Sequence, residues 1–204
     1  ETISPEFAAD VLAFGYHWHA SQGRDMTFGR VKGQKLLQLA ESVAKADMGR
    51  QPIKDAAGPN DFKHMLRAED WAKENQFFEF APRLTGHGYD FKKMGDYGKL
   101  IDRALAAIEA YREKLEKILS ILLPMDTQEA EVLATVHAAW NNLLLDGIDP
   151  TEDAIIIEAR ENWHGDKLKI PRHKFQDAIK TIRSNDIVPD GTAKRVTGQE
   201  IMRL

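Results

Sequence analysis

The stretch FFEFAPRLTGHGYDF, residues 77–91, decides which fold the first half of the chain is expected to adopt. On both sides of the TGHG run at 85–88, aromatic residues alternate with acidic ones, as they do in a half-buried strand. The aromatic residues of this pattern are Phe78, Phe80, Tyr89 and Phe91. The glycines of the TGHG run suit a tight turn. The stretch therefore predicts a β-hairpin.

Three segments before this hairpin have apolar residues at helical spacing. They are residues 5–19, 28–46 and 61–75. Ser4 followed by Pro5 is a start signal for the first helix, and Gly33 weakens the second by roughly 1 kcal/mol relative to alanine. Residues 50–56 are predicted to be an extended connector. Three short helices followed by a hairpin is the order of elements in a winged helix. A winged helix is the helix-turn-helix variant in which a β-ribbon flanks the recognition helix.

After the hairpin, residues 98–123 predict one long helix with a heptad seam, interrupted at Arg112. The seam residues are Ile101, Leu105, Ile108, Leu115, Leu119 and Leu122. Pro124 ends this helix, and a second apolar stripe then continues until Gly147. We predict that the two helices pack against each other as an antiparallel hairpin.

The last third of the chain predicts further short helices, one starting at 149–151 and one opened by Pro171. The predicted fold class is therefore mainly α with a small β-hairpin, built as two winged-helix-like modules joined by a long helical hairpin. The predicted domains are a module with a hairpin wing (1–95), the helical hairpin (96–146), a second helical winged-helix-like module (147–190) and a flexible tail (191–204).

Composition narrows the functional classes. The 204 residues are 43% hydrophobic and 29% charged, with a net charge of −4 and no cysteine. This is a globular composition that excludes disulfides, thiolate metal sites and cysteine nucleophiles, and it agrees with a reducing cytoplasm. No stretch is long and apolar enough to predict a membrane span. Because the first residue is Glu1, we expect a piece of a longer polypeptide.

No pattern in the sequence predicts catalysis. His17 and His19 are two apart on a predicted helix and point away from each other, so they favour ordinary helix positions over a metal clamp. The acidic residues of 146–153 lack the spacing of a calcium loop and are typical of a solvated helix start. Phosphate loops, dinucleotide-binding glycines, zinc-protease motifs and nucleophile elbows are absent. We predict no catalytic residue, no metal site and no cofactor.

Clusters of cations favour contact with nucleic-acid phosphates instead. The candidate DNA-binding residues are Arg30, Lys32, Lys63, His64, Arg67, Arg83, Lys92, Lys93, Arg172 and Lys174. Lys63 and Arg67 are one turn apart on the third helix, and Arg172 and Lys174 lie in the first turn of the last helix, where backbone N–H groups also attract anions. The alternative is an ordinary solvated face, because Asp and Glu residues on the third helix dilute its positive charge.

Several runs resemble an accessory C-terminal region of bacterial type I restriction-modification subunits, of the specificity or related restriction type. These runs are FGRVKGQKLLQLAE (28–41), DAAGPND (55–61), the hairpin region (77–91), DTQEAEVLATVHAAWNNLLLDG (126–147) and ENWH (161–164). The resemblance covers residues 27–189 and departs at Gly33, where a large apolar residue is expected. It implies membership of a DNA-recognising, multisubunit complex and carries no catalytic residue across. The first module also resembles the Panacea antitoxin domain over the N-terminal half.

The sequence thus predicts a non-catalytic region that binds DNA or docks onto other subunits of a restriction-modification complex. The alternative is a protein-interaction module, either an antitoxin-like neutraliser or an assembly scaffold, that does not contact DNA. Salt-dependent binding to random duplex DNA separates the two hypotheses. Since the seam is expected to be used within the chain, we predict a monomer for the isolated fragment.

Overall fold

The structure is a computed structural model that describes residues 5–198, and it confirms a mainly helical chain with small hairpin sheets. In chain order the elements are α1 (Pro5–Ser21), α2 (Arg30–Ser42), β1 (Ile53–Asp55), β2 (Gly58–Asn60), α3 (Phe62–Glu74), β3 (Phe78–Pro82), β4 (Tyr89–Lys93), α4 (Tyr97–Ala107), α5 (Arg112–Leu122), α6 (Thr127–Leu145), α7 (Glu152–Ile156) and α8 (Arg172–Ser184). In this part of the chain, no helix is long and apolar enough to cross a membrane.

The chain folds into two compact units. Unit 1 comprises Glu1–Arg50 and Phe62–Thr127, and unit 2 comprises Gln51–Asp61 and Gln128–Leu204. This division differs from the predicted one, because unit 2 takes its β1–β2 hairpin from a segment that interrupts unit 1 in sequence. The predicted extended connector at 50–56 thus contains β1. Residues 43–61 connect α2 to α3 by way of unit 2, so the connection is not the short turn of a helix-turn-helix.

Unit 1 is built around α1, which packs against α2, α3, α4 and α5. The predicted hairpin is confirmed, with β3 and β4 antiparallel and Phe80 opposite Phe91. Gly86 and Gly88 in its turn have positive φ angles, which glycine adopts readily. The ring of Phe91 stacks on Phe78 at 4.5 Å between centroids, so the hairpin covers the core with its aromatic face. Ser4, the predicted start signal, lies outside the described residues.

The predicted continuous helix at 98–123 is wrong. It is divided into α4 and α5 by a turn of 3₁₀ helix over Glu109–Tyr111, next to the interruption that Arg112 makes in the seam. The break lets α4 pack on α1 while α5 packs on α2 and α1. Only part of the predicted seam is fully buried, because Ile101 and Leu105 are half-buried whereas Leu115, Leu119 and Leu122 are buried.

The predicted pairing of this helix with the next one is not a feature of either unit. Helix α5 belongs to unit 1, and α6 lies in unit 2 apart from its first residue. Each helix has buried apolar residues of its own: Leu115 and Leu119 in α5, and Val136 and Trp140 in α6. The predicted apolar stripes of both helices are therefore buried, and the pairing of the two helices stays a prediction.

Unit 2 contains β1–β2, α6, α7 and α8. The face predicted for the last helix is confirmed, since Phe175, Ala178, Ile179 and Ile182 are buried. Helix α7 is short and continues as a π-helical turn over Ile157–Glu161. Trp163 follows that turn, and its Nε1 donates to the carbonyl of Asp55, which ties the hairpin to the helices.

Residues 191–198, the described part of the predicted flexible tail, contact the rest of unit 2. Val196 is buried, and its N–H donates to the side-chain oxygen of Asn142 on α6. Thr197 forms a parallel bridge with Ile53 of β1. The remainder of the predicted tail, 199–204, lies outside the described residues. Long-range backbone hydrogen bonds hold this segment, and its lack of an apolar pattern did not reveal them.

Gly33 on α2 lies where the resemblance to restriction-modification subunits leads us to expect a large apolar residue. The stability of a variant with such a residue tests whether this position has room for it. A Cβ atom at this position would lie 2.9 Å from Cδ2 of Leu12 and 3.4 Å from Cζ of Phe80, so α2 is closely packed here rather than loose. We expect Gly33→Leu to lower the free energy of unfolding by about 1 to 3 kcal/mol through overpacking. Urea denaturation measures this change. Gly98→Leu on α4, where nothing lies within 4 Å, is the matched control. Unchanged or increased stability of Gly33→Leu would contradict the packing.

Candidate anion-binding groove

A groove of about 650 Å³ opens at the N-terminal end of α2 in unit 1. Three segments form it: residues 24–32, the turn of the β3–β4 hairpin, and residues 123–127 after α5. The first segment begins with a 3₁₀ turn at Asp25–Thr27 and enters α2 at Gly29. A Cβ atom on Gly29 would lie 2.6 Å from the carbonyl oxygen of Tyr89, so only glycine lets the chain pass this close to β4.

The lining of the groove is strongly cationic. Its basic residues are Arg24, Arg30, Lys32 and Arg83, with His87 beside them. Among the described residues, Asp126 is the only acidic residue in this lining. The N-terminal end of α2 adds to the positive field, because Gly29 supplies no side-chain cap and the helix dipole is positive at this end. The groove therefore favours an anion.

Arg30 is held in place on two sides. Its guanidinium donates to Glu69 of α3 at 2.6 Å and lies 3.9 Å from the centroid of the Tyr89 ring. Burial raises the pKa of the Glu69 carboxyl, and the hydrogen bond from Arg30 opposes that rise. The Nε of Arg30 is buried with no hydrogen-bond partner among the described residues. Arg30 is thus an oriented cation with one donor unused, although Glu69 offsets part of its charge.

The other cations of the groove differ in how available they are. Arg83 donates from Nε to Asp90 at 2.7 Å, and its side chain is 40% exposed. Lys32 is buried, and its Nζ donates to the Leu123 carbonyl near the C-terminal end of α5 at 3.1 Å. Arg24 is exposed and forms no ion pair within the described residues. Arg24 is consequently the groove cation best able to meet a ligand.

The structure separates the predicted cations of α3 and the hairpin. Lys63 and Arg67 are both exposed on α3, as their spacing predicted. His64 is buried, and its Nε2 lies 2.8 Å from the Met48 carbonyl oxygen, so we remove it from the candidate contacts. Lys92 and Lys93 are adjacent in β4 and point to opposite faces, which prevents them from reaching one surface together.

Two further candidates lie in unit 2 and take no part in the groove. Arg172 and Lys174 are in the first turn of α8, as predicted. Arg172 pairs with Asp153, and Lys174 is half-buried. This exposed ion pair reduces the local positive charge at the start of α8. We therefore place the candidate site in unit 1.

Two parts of the groove have no clear signal in the sequence. Arg24 lies in the polar turn between α1 and α2, outside every predicted helix face, and residues 123–127 appeared only as a helix end. The one local signal of a tight turn beside Arg24 was the glycine that precedes it. In the structure Gly23 has a positive φ angle. No metal site offers a competing explanation within residues 5–198, because no group of three metal-ligating side chains comes together there.

Comparisons with models of known protein families, with curated proteins and with solved structures found no match. No family is shown for this chain. We therefore infer its function from the geometry and charge of the groove. In unit 1 these are four cations around a helix N-terminus, beside an exposed hairpin turn and one half-exposed tyrosine ring.

Proposed function

We propose that unit 1 binds the phosphate backbone of DNA without catalysing a reaction. The observation that carries the proposal is the convergence of Arg24, Arg30 and Arg83 on one groove at the N-terminal end of α2. Arginine side chains and helix N-termini are common phosphate partners in protein–DNA complexes. Neutralising phosphates releases condensed counterions, so a groove of this charge supports binding that does not depend on base sequence.

The proposal includes a winged-helix role for unit 1. In it α3 approaches the duplex with Lys63 and Arg67, and the β3–β4 hairpin acts as the wing with Arg83 and His87 in its turn. The order of three helices and a hairpin supports this role. The long connection between α2 and α3 departs from the usual motif, so the groove and α3 are separate surfaces to be tested independently.

The setting we propose is a bacterial type I restriction-modification complex in the cytoplasm, in which this chain is an accessory region. The resemblance of residues 27–189 to such subunits supports that setting. Acidic residues near the cations, Glu69 and Asp90 among them, reduce the positive charge. We therefore expect weak binding in isolation, about 10⁻⁴ to 10⁻⁶ M at physiological salt, and stronger binding within an assembled complex.

A second candidate function is docking of an acidic segment of a protein partner in the same groove. The apolar side chains of Met26 and Met125 beside the cations favour it, since a peptide ligand gains from apolar contact and a phosphate strand does not. Met26 is 75% exposed, which is unusual for a large apolar side chain. Under this alternative the chain neutralises or scaffolds another protein and does not contact DNA.

Charge reversal in the groove tests the proposal. We expect Arg24→Glu to weaken binding to all duplex sequences alike, and to lower the slope of log affinity against log salt by about 0.9 for each phosphate that the protein no longer neutralises. Fluorescence anisotropy with a labelled random duplex over a series of salt concentrations measures both quantities. Because Arg24 is exposed and forms no ion pair within the described residues, the circular dichroism spectrum of the variant should match that of the wild type.

Two further variants locate the contact. Lys63→Glu combined with Arg67→Glu tests α3, while Lys114→Glu on α5 is a matched control, being an exposed lysine of unit 1 outside the groove. DNA binding by unit 1 is supported if the groove or α3 variants lose affinity and the control does not. The proposal fails if the wild type shows no binding at low salt, or if all variants bind as the control does.

A further inference from the structure

In unit 2, residues 190–198, here called the latch segment, form several hydrogen bonds to α6 and to the β1 region through their backbone. Nδ2 of Asn142 donates to the Val196 carbonyl at 2.9 Å, and its Oδ1 accepts from the Val196 N–H at 3.0 Å. Nδ2 of Asn141 donates to the Ala193 carbonyl at 2.9 Å. Both asparagines are buried on α6. Their amides thus pair with an extended chain much as the edge of a strand would.

The latch segment also meets the hairpin of unit 2. The N–H of Lys54 donates to the Thr197 carbonyl at 2.7 Å, and the N–H of Thr197 lies 3.4 Å from the Pro52 carbonyl oxygen. Ile53 and Thr197 form a parallel bridge, which adds a strand-like residue beside β1. Addition of an extended peptide to a sheet edge is a recurrent mode of peptide recognition, in which main-chain hydrogen bonds provide affinity.

Two side chains of the latch segment are recognised individually. Val196 is 2% exposed, so it fills a pocket in unit 2. Arg195 donates to Asp146, which follows α6, and this hydrogen bond holds the pKa of the Asp146 carboxyl below its usual range. The side chains of Lys194 and Thr197 are exposed. At these two positions the site therefore recognises an arginine followed by a β-branched apolar residue.

One buried acceptor at this site has no partner among the described residues. Oδ1 of Asn141 is buried and accepts no hydrogen bond from any described residue. A buried acceptor without a partner is unfavourable, and few are left in folded proteins. This spare acceptor belongs to a side chain whose amide nitrogen already binds the latch segment. An occupant with an additional donor here would satisfy it.

We propose that unit 2 is a receptor for an extended peptide, and that the latch segment occupies it in cis. A segment of a partner protein with arginine followed by valine or isoleucine replaces the latch segment in the same backbone register. Asn141 and Asn142 bind the main chain of the occupant, Asp146 binds its arginine, and the Val196 pocket takes its β-branched residue. This site lies in unit 2 and does not depend on the groove of unit 1.

A cleavable chain tests the proposal without truncating the folded protein. A protease recognition sequence is inserted next to Val188, which is exposed and precedes the latch segment. After cleavage, a fluorescent synthetic peptide of residues 190–198 is added. We expect the helical circular dichroism signal to persist and the labelled peptide to exchange into the site at one-to-one stoichiometry. Loss of the helical signal after release of the fragment, or the absence of exchange, overturns the proposal because the segment is then part of the folding core.

Matched variants establish which contacts matter. Asn142→Ala in the cleaved protein should weaken binding of the labelled peptide at least about tenfold, since two hydrogen bonds to the occupant's backbone are removed. A peptide carrying Val196→Asp should fail to compete. Asn185→Ala is the control, because that asparagine bonds within α8 and does not touch the latch segment. Equal weakening by Asn142→Ala and Asn185→Ala overturns the assignment.

The uncut protein distinguishes the occupants. If it forms a dimer in sedimentation that Asn142→Ala abolishes, the segment exchanges between copies of this chain, and the assignment of a partner protein is overturned. If the uncut protein stays monomeric and an added arginine-valine peptide increases hydrogen exchange of the latch segment, the partner assignment is supported.

Discussion

Replacing Leu119 with alanine is expected to lower the free energy of unfolding by about 2 to 5 kcal/mol, among the largest effects of any single substitution in this chain. Leu119 is fully buried on α5, and α5 packs against α2 and α1 within unit 1. The loss combines the transfer free energy of the removed methyl and methine groups with the cost of the cavity that remains. Urea or guanidinium denaturation followed by circular dichroism measures it.

Leu84→Ala is the control for this prediction. Leu84 is a leucine of the same unit, but it is 98% exposed in the turn of the β3–β4 hairpin, so its removal should change stability by less than about 0.5 kcal/mol. An effect of Leu119→Ala as small as that of Leu84→Ala would show that α5 does not pack against the rest of unit 1.

Acid should destabilise unit 1 through His19, by roughly 2 to 3 kcal/mol on going from neutral pH to pH 4. His19 is fully buried on α1, with Nδ1 2.8 Å from the Gly15 carbonyl oxygen and Nε2 without a hydrogen-bond partner in the described residues. Burial lowers the pKa of His19 to about 4. Because the unfolded chain takes up the proton near pH 6.5, stability is complete above that pH and falls as pH decreases towards 4.

A neighbouring carboxyl acts in the opposite direction. Burial raises the pKa of Asp10 on α1 to about 6, although Arg103 of α4 pairs with it at 2.8 Å and opposes the rise. The folded state therefore binds this proton more readily than the unfolded chain, and stability increases as pH falls from about 6 towards 4. The wild-type pH profile is the sum of both effects.

The contribution of His19 is isolated by difference. Glutamine in place of His19 does not titrate and keeps a donor for the Gly15 carbonyl, so His19→Gln should lose the acid destabilisation while leaving the contribution of Asp10. Denaturant unfolding of both proteins between about pH 4 and pH 7.5 measures the two profiles. If the profiles are parallel over this range, His19 is not buried in its neutral form.

Prediction from sequence succeeded where a short stretch contains its own structural signal. The alternation around the TGHG turn predicted β3 and β4, and helical spacing predicted α1 and α3, because each pattern reflects one face turned towards a core. Exposure of Lys63 and Arg67 on α3 followed from the same periodicity. The predicted cations on the hairpin were less accurate, since adjacent strand residues point to opposite faces.

Errors arose where the outcome depends on partners far away in sequence. The break between α4 and α5 allows α4 to pack on α1 and α5 to pack on α2 and α1. The close approach of Gly33 to Leu12 and Phe80 depends on how α2, α1 and β3 are placed. Arg24 is part of the groove only because the hairpin turn and residues 123–127 lie beside it. Contacts between residues far apart in sequence do not produce a periodic pattern of apolar residues. The spacing of apolar residues therefore could not predict them.

Local pattern thus determines the helical class, the aromatic hairpin and the apolar face of most helices, because periodicity of about 3.6 or 2 residues is a property of each segment alone. Tertiary structure decides how these segments are divided between the two units. It assigns Gln51–Asp61 to unit 2, places α5 and most of α6 in different units, and fixes residues 190–198 through Asn141 and Asn142. The physical reason is that backbone hydrogen bonds and close packing between distant residues depend on geometry rather than on the composition of the segments that make them.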